Sequence, residues 1–324
     1  TTILAASALS ATALMITTAN AQQKIIAVDG SSTVFPITEA MAEEFQKANK
    51  DIKVTVGISG TGGGFKKFCR GETDISDASR PILKKEMEDC AKVGIKYVEL
   101  PVAFDALTVV VNPKNSFIKQ LTVAELKKMW EPAAQNKAMK WKDINAAWPD
   151  QPMKLFGPGA DSGTFDYFTE AVVGKSKSSR GDFTASEDDN VLVQGVSRDV
   201  NGLGYFGYAY YVENKDKLRA VPIVNEKGQA VLPSLEAVIA GSYTPLARPI
   251  FIYVSTKALA KPEVRDFVEY YMKNGEKLSK EVKYVPLPSS AYQLAWEHVV
   301  KMKKGTKFGG VAEVGVTIEE TEDE

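Results

Sequence analysis

Strand-like and helix-like stretches alternate along this chain from residue 24 onward. Residues 24–28 and 52–56 have the character of short strands, whereas the apolar side chains around Met41 and Phe45 recur at helical spacing. The same alternation continues through most of the remaining sequence. It predicts an α/β fold.

The length of the chain indicates how many structural units it forms. At roughly 150 residues per domain, 324 residues suggest two domains. No Pro-, Gly- or Ser-rich linker divides the sequence once, so two domains joined by a single flexible linker are not expected. Two strongly apolar runs, at 107–111 and 250–254, instead predict strands along which the chain passes between two lobes.

Charge and histidine content narrow the possible functions. Lys and Arg number 40 against 41 Asp and Glu, and this net charge of −1 argues against a nucleic-acid binder. The single histidine, His298, makes His-dependent catalysis and zinc sites poor hypotheses, and we expect neither a metal nor a cofactor. A small ligand is the better hypothesis.

The N-terminal segment differs from the rest of the sequence, because its first charged residue is Lys24. Its apolar, small-residue run ends in Ala19-Asn20-Ala21, an A-x-A pattern that predicts a secretory signal peptide over residues 1–21. The alternatives are a membrane anchor or a buried helix, for which the run is short and rich in Ser and Thr. We therefore expect export.

Export bears on the two cysteines, Cys69 and Cys90. An oxidising compartment favours a disulfide between them. The bridge would close a loop of 21 residues and contribute about 3 kcal/mol in the chain-entropy model. Two buried free thiols are the alternative.

Three segments share one pattern, in which a strand end is followed by small hydroxyl or glycine residues and then by a helix. They are residues 29–34, 59–64 and 161–164. A helix N-terminus presents unpaired backbone N–H groups, and Ser or Thr hydroxyls add further donors. One such start is merely a capped helix. Three that converge would form a site of neutral donors for a tetrahedral oxyanion.

Charged residues near these segments are candidates for the same site. Arg80 precedes Pro81 and so is held out of a regular helix, and arginine suits multidentate oxyanion binding. An exposed surface arginine is the alternative. Phosphate carries a proton at neutral pH and sulfate does not, so a phosphate-selective pocket can include a carboxylate acceptor. Asp161 and Asp77 are the candidates, unless they are turn or cap residues.

Competing motifs are incomplete. The glycine-rich run at 60–67 has Phe65 at the second glycine position of a P-loop and Lys67 at its Ser/Thr position. Residues 159–163 have Asp161 where a nucleophile elbow requires serine. Residues 202–207 match G-x-G-x-x-G, but an aromatic, strand-like run is predicted to follow them rather than a helix.

Five motifs together resemble one family. They are IAVDGSSTVFPITE at 26–39, GISGTGGGF at 57–65, DISDASRP at 74–81, DALTVVVN at 105–112 and DSGTFDYF at 161–168. In this combination the sequence resembles the periplasmic phosphate-binding proteins of phosphate ABC transporters, the PstS family, over essentially its whole mature length. The resemblance implies a type II-like periplasmic binding fold with two lobes, each a mixed sheet flanked by helices, and two crossover strands.

Domain boundaries and site residues follow from the resemblance. We expect lobe 1 at 22–106 plus 248–324 and lobe 2 at 107–247. The implied phosphate ligands come from all three helix starts and from the segment after residue 78: Ser32, Thr33, Val34, Ser59, Thr61, Ser79, Arg80, Asp161, Ser162, Gly163 and Thr164.

The chain departs from the family pattern at two places. Many members carry Asp where this chain has Ser79, and an Arg shortly before the Ser-Gly-Thr motif, where this chain has Gly-Pro-Gly at 157–159. The expected proton acceptor and cationic partner are therefore Asp161 and Arg80.

The resemblance implies a non-enzymatic, monomeric periplasmic protein that binds inorganic phosphate and delivers it to the permease subunits of an ABC transporter. A binding protein for another tetrahedral anion, such as sulfate or molybdate, is one alternative. An exported phosphatase or esterase that uses Ser162 is a second, and an adhesion or sensor role is a third.

Overall fold

A computed structural model describes residues 23–160, 162–186 and 188–309. The predicted signal peptide at 1–21 and the predicted ligand Asp161 lie outside these ranges. In the part of the chain that is described, no helix is both long and apolar enough to cross a membrane.

Strands and helices alternate as the sequence predicts. The strands are Lys24–Gly30 (β1), Ile52–Ile58 (β2), Ile75–Ala78 (β3), Tyr97–Val111 (β4), Leu121–Thr122 (β5), Lys154–Gly157 (β6), Thr184–Ala185 (β7), Gly202–Gly207 (β8), Arg219–Ala220 (β9), Ile223–Val224 (β10), Ala230–Val231 (β11) and Ala247–Ser255 (β12). The α-helices are Phe35–Ala48 (α1), Thr61–Phe68 (α2), Lys84–Lys92 (α3), Val123–Trp130 (α4), Trp141–Ile144 (α5), Gly163–Phe168 (α6), Asp189–Arg198 (α7), Tyr208–Glu213 (α8), Leu235–Ile239 (α9), Pro262–Glu281 (α10) and Ser289–Val300 (α11).

One sheet runs through the molecule in the order β2-β1-β3-β12-β4-β8-β6-β7, and β9 also pairs with β4. Its first half (β2-β1-β3) and its second half (β8-β6-β7) are each parallel. Between them, β12 and β4 are antiparallel to each other and to their outer neighbours. The two apolar runs of the sequence therefore lie on the central strands that both halves share, which confirms an α/β fold with two crossover strands.

The central strand β4 is longer than predicted. The sequence suggests separate strands at 97–100 and 107–111, but residues 97–111 form one strand of 15 residues. Pro101 and Asp105 interrupt the apolar pattern between them. A register shift in the β4–β12 pairing, opposite Ile250 and Phe251, accommodates Pro101, which has no backbone N–H to donate.

The structure corrects one further element. The run after the G-x-G-x-x-G match is not strand-like, because Tyr208–Glu213 is the helix α8. The glycine match itself lies within strand β8 rather than in a turn after a strand. A dinucleotide site needs those glycines at the turn, so the motif remains a poor candidate for a different reason than the sequence suggested.

The predicted disulfide is present. Cys69, after α2, and Cys90, in α3, are joined by a bond of 2.07 Å. Both belong to a small core beside the first half of the sheet, which also contains Phe65 and Tyr253. The bridge thus ties together the two helices that follow β2 and β3.

Candidate anion-binding site

The first predicted helix start, at the end of β1, is ordered by backbone contacts to β3. The N–H of Ser31 donates to the carbonyl of Asp77 at 3.0 Å, and the N–H of Thr33 donates to the Ser31 hydroxyl at 3.2 Å. Pro36 then occupies the first turn of α1, where a residue without an N–H is favourable. Ser31, Thr33 and the adjacent Val34 are all buried.

The third predicted start, at α6, lies against the first. Ser162 caps α6 by accepting a hydrogen bond from the N–H of Thr164 at 3.2 Å. A Cβ atom on Gly163 would lie 3.0 Å from the carbonyl oxygen of Ser32 and from Cα and N of Thr33. A larger residue would crowd the backbone of Ser32 and Thr33, so glycine suits this close approach, which brings the two segments together as predicted.

Two side-chain contacts cross between these segments. The Ser32 hydroxyl donates to Asp166 Oδ2 at 3.1 Å, and the Thr33 hydroxyl reaches the carbonyl of Gly163 at 3.5 Å. Burial raises the pKa of Asp166, and the hydrogen bond from Ser32 acts in the opposite direction. The starts of α1 and α6 are therefore linked by two hydrogen bonds, both donated by residues of the first start.

The glycine-rich turn before α2 is held by its own network. Ser59 donates to Asp29, whose other carboxylate oxygen lies 2.6 Å from the ammonium of Lys67. Gly60 has a φ of 75°, a left-handed conformation that glycine adopts without steric cost. The predicted ligand Ser59 thus has a carboxylate partner in this structure.

The segment after β3 joins the glycine-rich turn. The hydroxyls of Thr61 and Ser79 are 2.9 Å apart, and the N–H of Ser79 donates to the Thr61 hydroxyl at 3.1 Å. The second predicted start and the predicted residue Ser79 are therefore in direct contact.

Arg80 is near these groups but is engaged elsewhere. Its guanidinium forms two hydrogen bonds to Glu86 in α3, at 2.8 and 2.9 Å, and one to the carbonyl of Pro81 at 3.1 Å. Glu86 also accepts from the N–H of Leu83, as a helix-capping carboxylate does. The predicted cationic ligand is thus half of a bidentate ion pair.

Asp77, one of the two candidate proton acceptors, is fully buried at the end of β3. Its Oδ1 accepts a hydrogen bond from Thr38 at 3.0 Å, and its Oδ2 has no partner among the described residues. Burial raises the pKa of Asp77 to about 8, despite the opposing hydrogen bond from Thr38. A carboxyl in this condition exchanges a proton near neutral pH.

The central strands add two charged residues that the sequence analysis did not select. Arg248 in β12 pairs in register with Asp105 in β4, and both are largely buried. Burial raises the pKa of Asp105 to about 6, and the charge of Arg248 opposes this shift. The available signal was that Arg248 and Asp105 each lie two residues before one of the two strongly apolar runs, at 250–254 and 107–111.

The groups required by a hydrolase lie apart from this region. His298 is on α11 and lines a different cavity, together with Glu99 and residues of the segment after α11. No group of three or more potential metal ligands occurs within the described ranges.

Comparison with known proteins gives a consistent result. The PBP superfamily domain matches residues 16–274. The protein SphX of Synechococcus elongatus is 55% identical over 318 residues, which are 98% of this chain and 94% of that protein. The phosphate-binding protein PstS of Staphylococcus saprophyticus is 42% identical over 267 residues, covering 82% of this chain and 81% of the relative.

A solved structure shares the whole architecture. The crystal structure of a possible phosphate-binding protein from Planctomyces limnophilus has a TM-score of 0.83 and 49% identity, covering 86% of this chain and 98% of that one. The chain therefore belongs to the PBP superfamily and, within it, to the PstS family. The resemblance seen in the five sequence motifs is confirmed.

Proposed function

We propose that this protein binds inorganic phosphate outside the cytoplasm, in the periplasm, and delivers it to the membrane permease of an ABC transporter. Its lobes would be residues 22–106 plus 248–324 and residues 107–247, with the anion held between them. The named PstS relatives and the possible phosphate-binding protein from Planctomyces limnophilus support this choice of ligand.

The contact of Gly163 with Ser32 and Thr33 carries the proposal. It places the N-termini of α1 and α6, from the two halves of the sheet, against each other. Helix N-termini and hydroxyls bind oxyanions without a basic patch, in agreement with a net charge of −1. We assign the phosphate contacts to the predicted residues of these starts, together with Ser59, Thr61 and Ser79.

Asp77 would supply selectivity for phosphate over sulfate. Its buried carboxyl lies directly beneath the start of α1, since its backbone carbonyl accepts the N–H of Ser31. In its ionised form Asp77 would accept the proton of hydrogen phosphate, whereas sulfate offers no proton and would face a buried negative charge. Because burial raises the pKa of Asp77 to about 8, its carboxyl is mainly protonated at pH 7, and we expect the preference for phosphate over sulfate to increase as the pH rises toward 8. We assign this role to Asp77 because its buried Oδ2 is unpaired within the described residues.

The geometry does not favour the hydrolase alternative. The Ser162 hydroxyl caps a helix, and His298 lines a different cavity. A serine nucleophile requires an adjacent general base, which that arrangement does not provide. We therefore propose binding without turnover.

Isothermal titration with phosphate, sulfate and molybdate in phosphate-free buffer tests this function. We expect phosphate to bind with a dissociation constant below about 1 µM, equivalent to about −8.2 kcal/mol, and sulfate to bind far more weakly. Tight sulfate or molybdate binding without phosphate binding would refute the proposal. Hydrolysis of a chromogenic phosphate ester that disappears in Ser162→Ala would support the enzyme instead.

A further inference from the structure

We propose that Arg248, on the central strand β12, is the cationic ligand of the bound anion. This inference rests on the proposed function, because it assigns a ligand within that same site. It also names a source of positive charge other than Arg80, whose guanidinium is already bound to Glu86 through two hydrogen bonds.

The surroundings of Arg248 leave one buried donor free. Its guanidinium carbon lies 3.6 Å from the ring centroid of Tyr167, and its NH1 lies 3.2 Å from Glu170 Oε2. Its Nε is buried and has no acceptor among the residues that the structure describes. A buried guanidinium N–H is costly to leave unpaired, so an acceptor at this position is expected.

A second buried group, on the strand next to Arg248, also lacks a hydrogen-bond partner among the described residues. Asp105 is opposite Arg248 in the β4–β12 ladder and is 95% buried, since its relative exposure is 5%. Its Oδ2 has no hydrogen-bond partner in the described part of the chain. Two facing strands thus present one unpaired cationic donor and one unpaired carboxylate oxygen, a pattern typical of a ligand site rather than of a packed core.

These groups adjoin the helix starts that form the proposed site. Tyr284, which follows α10, donates its hydroxyl to the carbonyl of Thr33 at 2.6 Å, and Val285 pairs with Phe104 beside Asp105. On the other side, Tyr167 and Glu170 follow Asp166, which accepts the hydrogen bond from Ser32. The charge of Arg248 opposes the raised pKa of both Asp105 and Asp166, so its field reaches both sides.

One cavity brings Arg248 together with two predicted ligands, Ser79 and Arg80. This cavity of about 550 Å³ is lined by the segment after β3, by α6 and the segment that follows it, and by β12. Among its lining residues are Ser79, Arg80, Pro81, Tyr167, Glu170 and Arg248. Two arginines therefore face one cleft. Arg80 has both of its terminal nitrogens on Glu86, whereas Arg248 has a buried Nε–H without a partner among the described residues.

Phosphate titration of matched variants tests the proposal against a purely structural role. Because hydrogen bonds to charged groups are strong, Arg248→Gln should weaken phosphate binding by about tenfold to hundredfold, and Arg248→Lys should lose less. Glu170→Gln is the discriminating variant. If Arg248 serves the anion, releasing it from Glu170 should leave phosphate affinity unchanged or raise it. If Arg248 only ties β12 to the segment after α6, Glu170→Gln should reproduce the loss.

Arg265→Gln is the control, because Arg265 lies on α10 against Trp296 and should retain wild-type affinity. Thermal unfolding without phosphate checks that each variant folds. Affinity of Arg248→Gln within twofold of wild type would overturn the inference, and so would a matching loss in Glu170→Gln. Should Arg248→Gln not fold, the Glu170→Gln result still decides. Wild-type protein that binds no phosphate would instead refute the proposed function, and this inference with it.

Discussion

The two sides of the cleft are built differently. On the first side, Ser59 is tied to Asp29, Thr61 to Ser79 and Arg80 to Glu86, all within the half of the sheet that carries β1 to β3. On the second side, the start of α6 has one internal cap, from Ser162 to Thr164. Asp166 also pairs with Lys177 on the same side, and further polar contacts leave the segment for Ser32, Thr33, Pro245 and Arg248.

This difference indicates which residues should affect the stability of the protein and which should affect its affinity for a ligand. The first side holds its proposed donors in place through contacts within one half of the sheet, so under the proposed function these donors need little rearrangement to bind an anion. The start of α6 is also held by contacts with Ser32 and Thr33 in the other half. We therefore expect changes on the first side to alter stability, and changes at the contacts with Ser32 and Thr33 to alter affinity.

Removal of the disulfide should have the largest effect and should act on the first side alone. Replacing Cys69 and Cys90 by serine releases a loop of 21 residues, which should lower the free energy of unfolding by about 3 kcal/mol. Phosphate affinity should change little, because hydrogen bonds hold the donors. Denaturant unfolding and phosphate titration of the double variant measure both quantities. A large loss of affinity in a folded variant would show that the first side is not organised by its own hydrogen bonds.

Asp77 should make the stability of the first side depend on pH. Its pKa is raised by burial to about 8, whereas an unfolded chain ionises aspartate near pH 3.9. Between these values the folded state retains a proton that the unfolded state has lost. The free energy of unfolding should therefore fall as pH rises, by up to about 1.4 kcal/mol per pH unit, and be fully restored only below about pH 4.

The group is isolated by comparing the pH dependence of unfolding between wild type and Asp77→Asn, without phosphate, from about pH 6.5 to 7.5. Other groups with shifted pKa values near this window, such as Asp105 and His298, are present in both proteins. Asp77→Asn should remove most of the slope. Asp266→Asn, on an exposed position of α10, should keep it. Equal slopes in all three proteins would mean that Asp77 is ionised in the folded state.

Gly163→Ala should weaken the contact between the two sides of the cleft. The added Cβ would lie 3.0 Å from backbone atoms of Ser32 and Thr33, which cannot move aside as a flexible side chain would. Overpacking of this kind costs about 1–3 kcal/mol, so phosphate affinity should fall roughly tenfold. Gly181→Ala is the matched control, because its Cβ would meet only a side-chain atom at 3.5 Å. If Gly163→Ala retained wild-type affinity, the close approach would be unnecessary for binding.

Local features were the most predictable from the sequence. The spacing of Thr122 and Glu125 predicts a capping box, which is present with hydrogen bonds of 2.9 and 3.1 Å. Strands β1 and β2 begin where the strand-like runs at 24–28 and 52–56 begin. The disulfide and the approach of Gly163 to Thr33 also follow the prediction. Each depends on neighbours in sequence or on a motif with a fixed spacing.

Features set by distant contacts were not predictable in the same way. The pairing of Arg80 with Glu86 depends on how α3 turns back. The position of Arg248 depends on its register with Asp105, which lies 143 positions earlier in the sequence. An arginine before a proline occurs at both Arg80 and Arg248. Only the fold shows that Arg248 is the one with a buried N–H donor that lacks a partner among the described residues.

The smallest effect expected concerns a single crossing hydrogen bond. Ser32→Ala removes the contact with Asp166, and one such bond is worth about 1 kcal/mol, so phosphate binding should weaken roughly fivefold. Ser289→Ala, which removes a surface bond to Glu276, should have no effect on binding.

Because Ser32 is also a proposed phosphate ligand, the single variant does not separate the two roles. A double-mutant cycle with Asp166→Ala does. If the crossing contacts order the second side, the binding free energy lost in the double variant will be smaller than the sum of the two single losses by about 0.5 kcal/mol or more. Full additivity would assign Ser32 to the anion alone and leave Gly163 as the contact that joins the two sides.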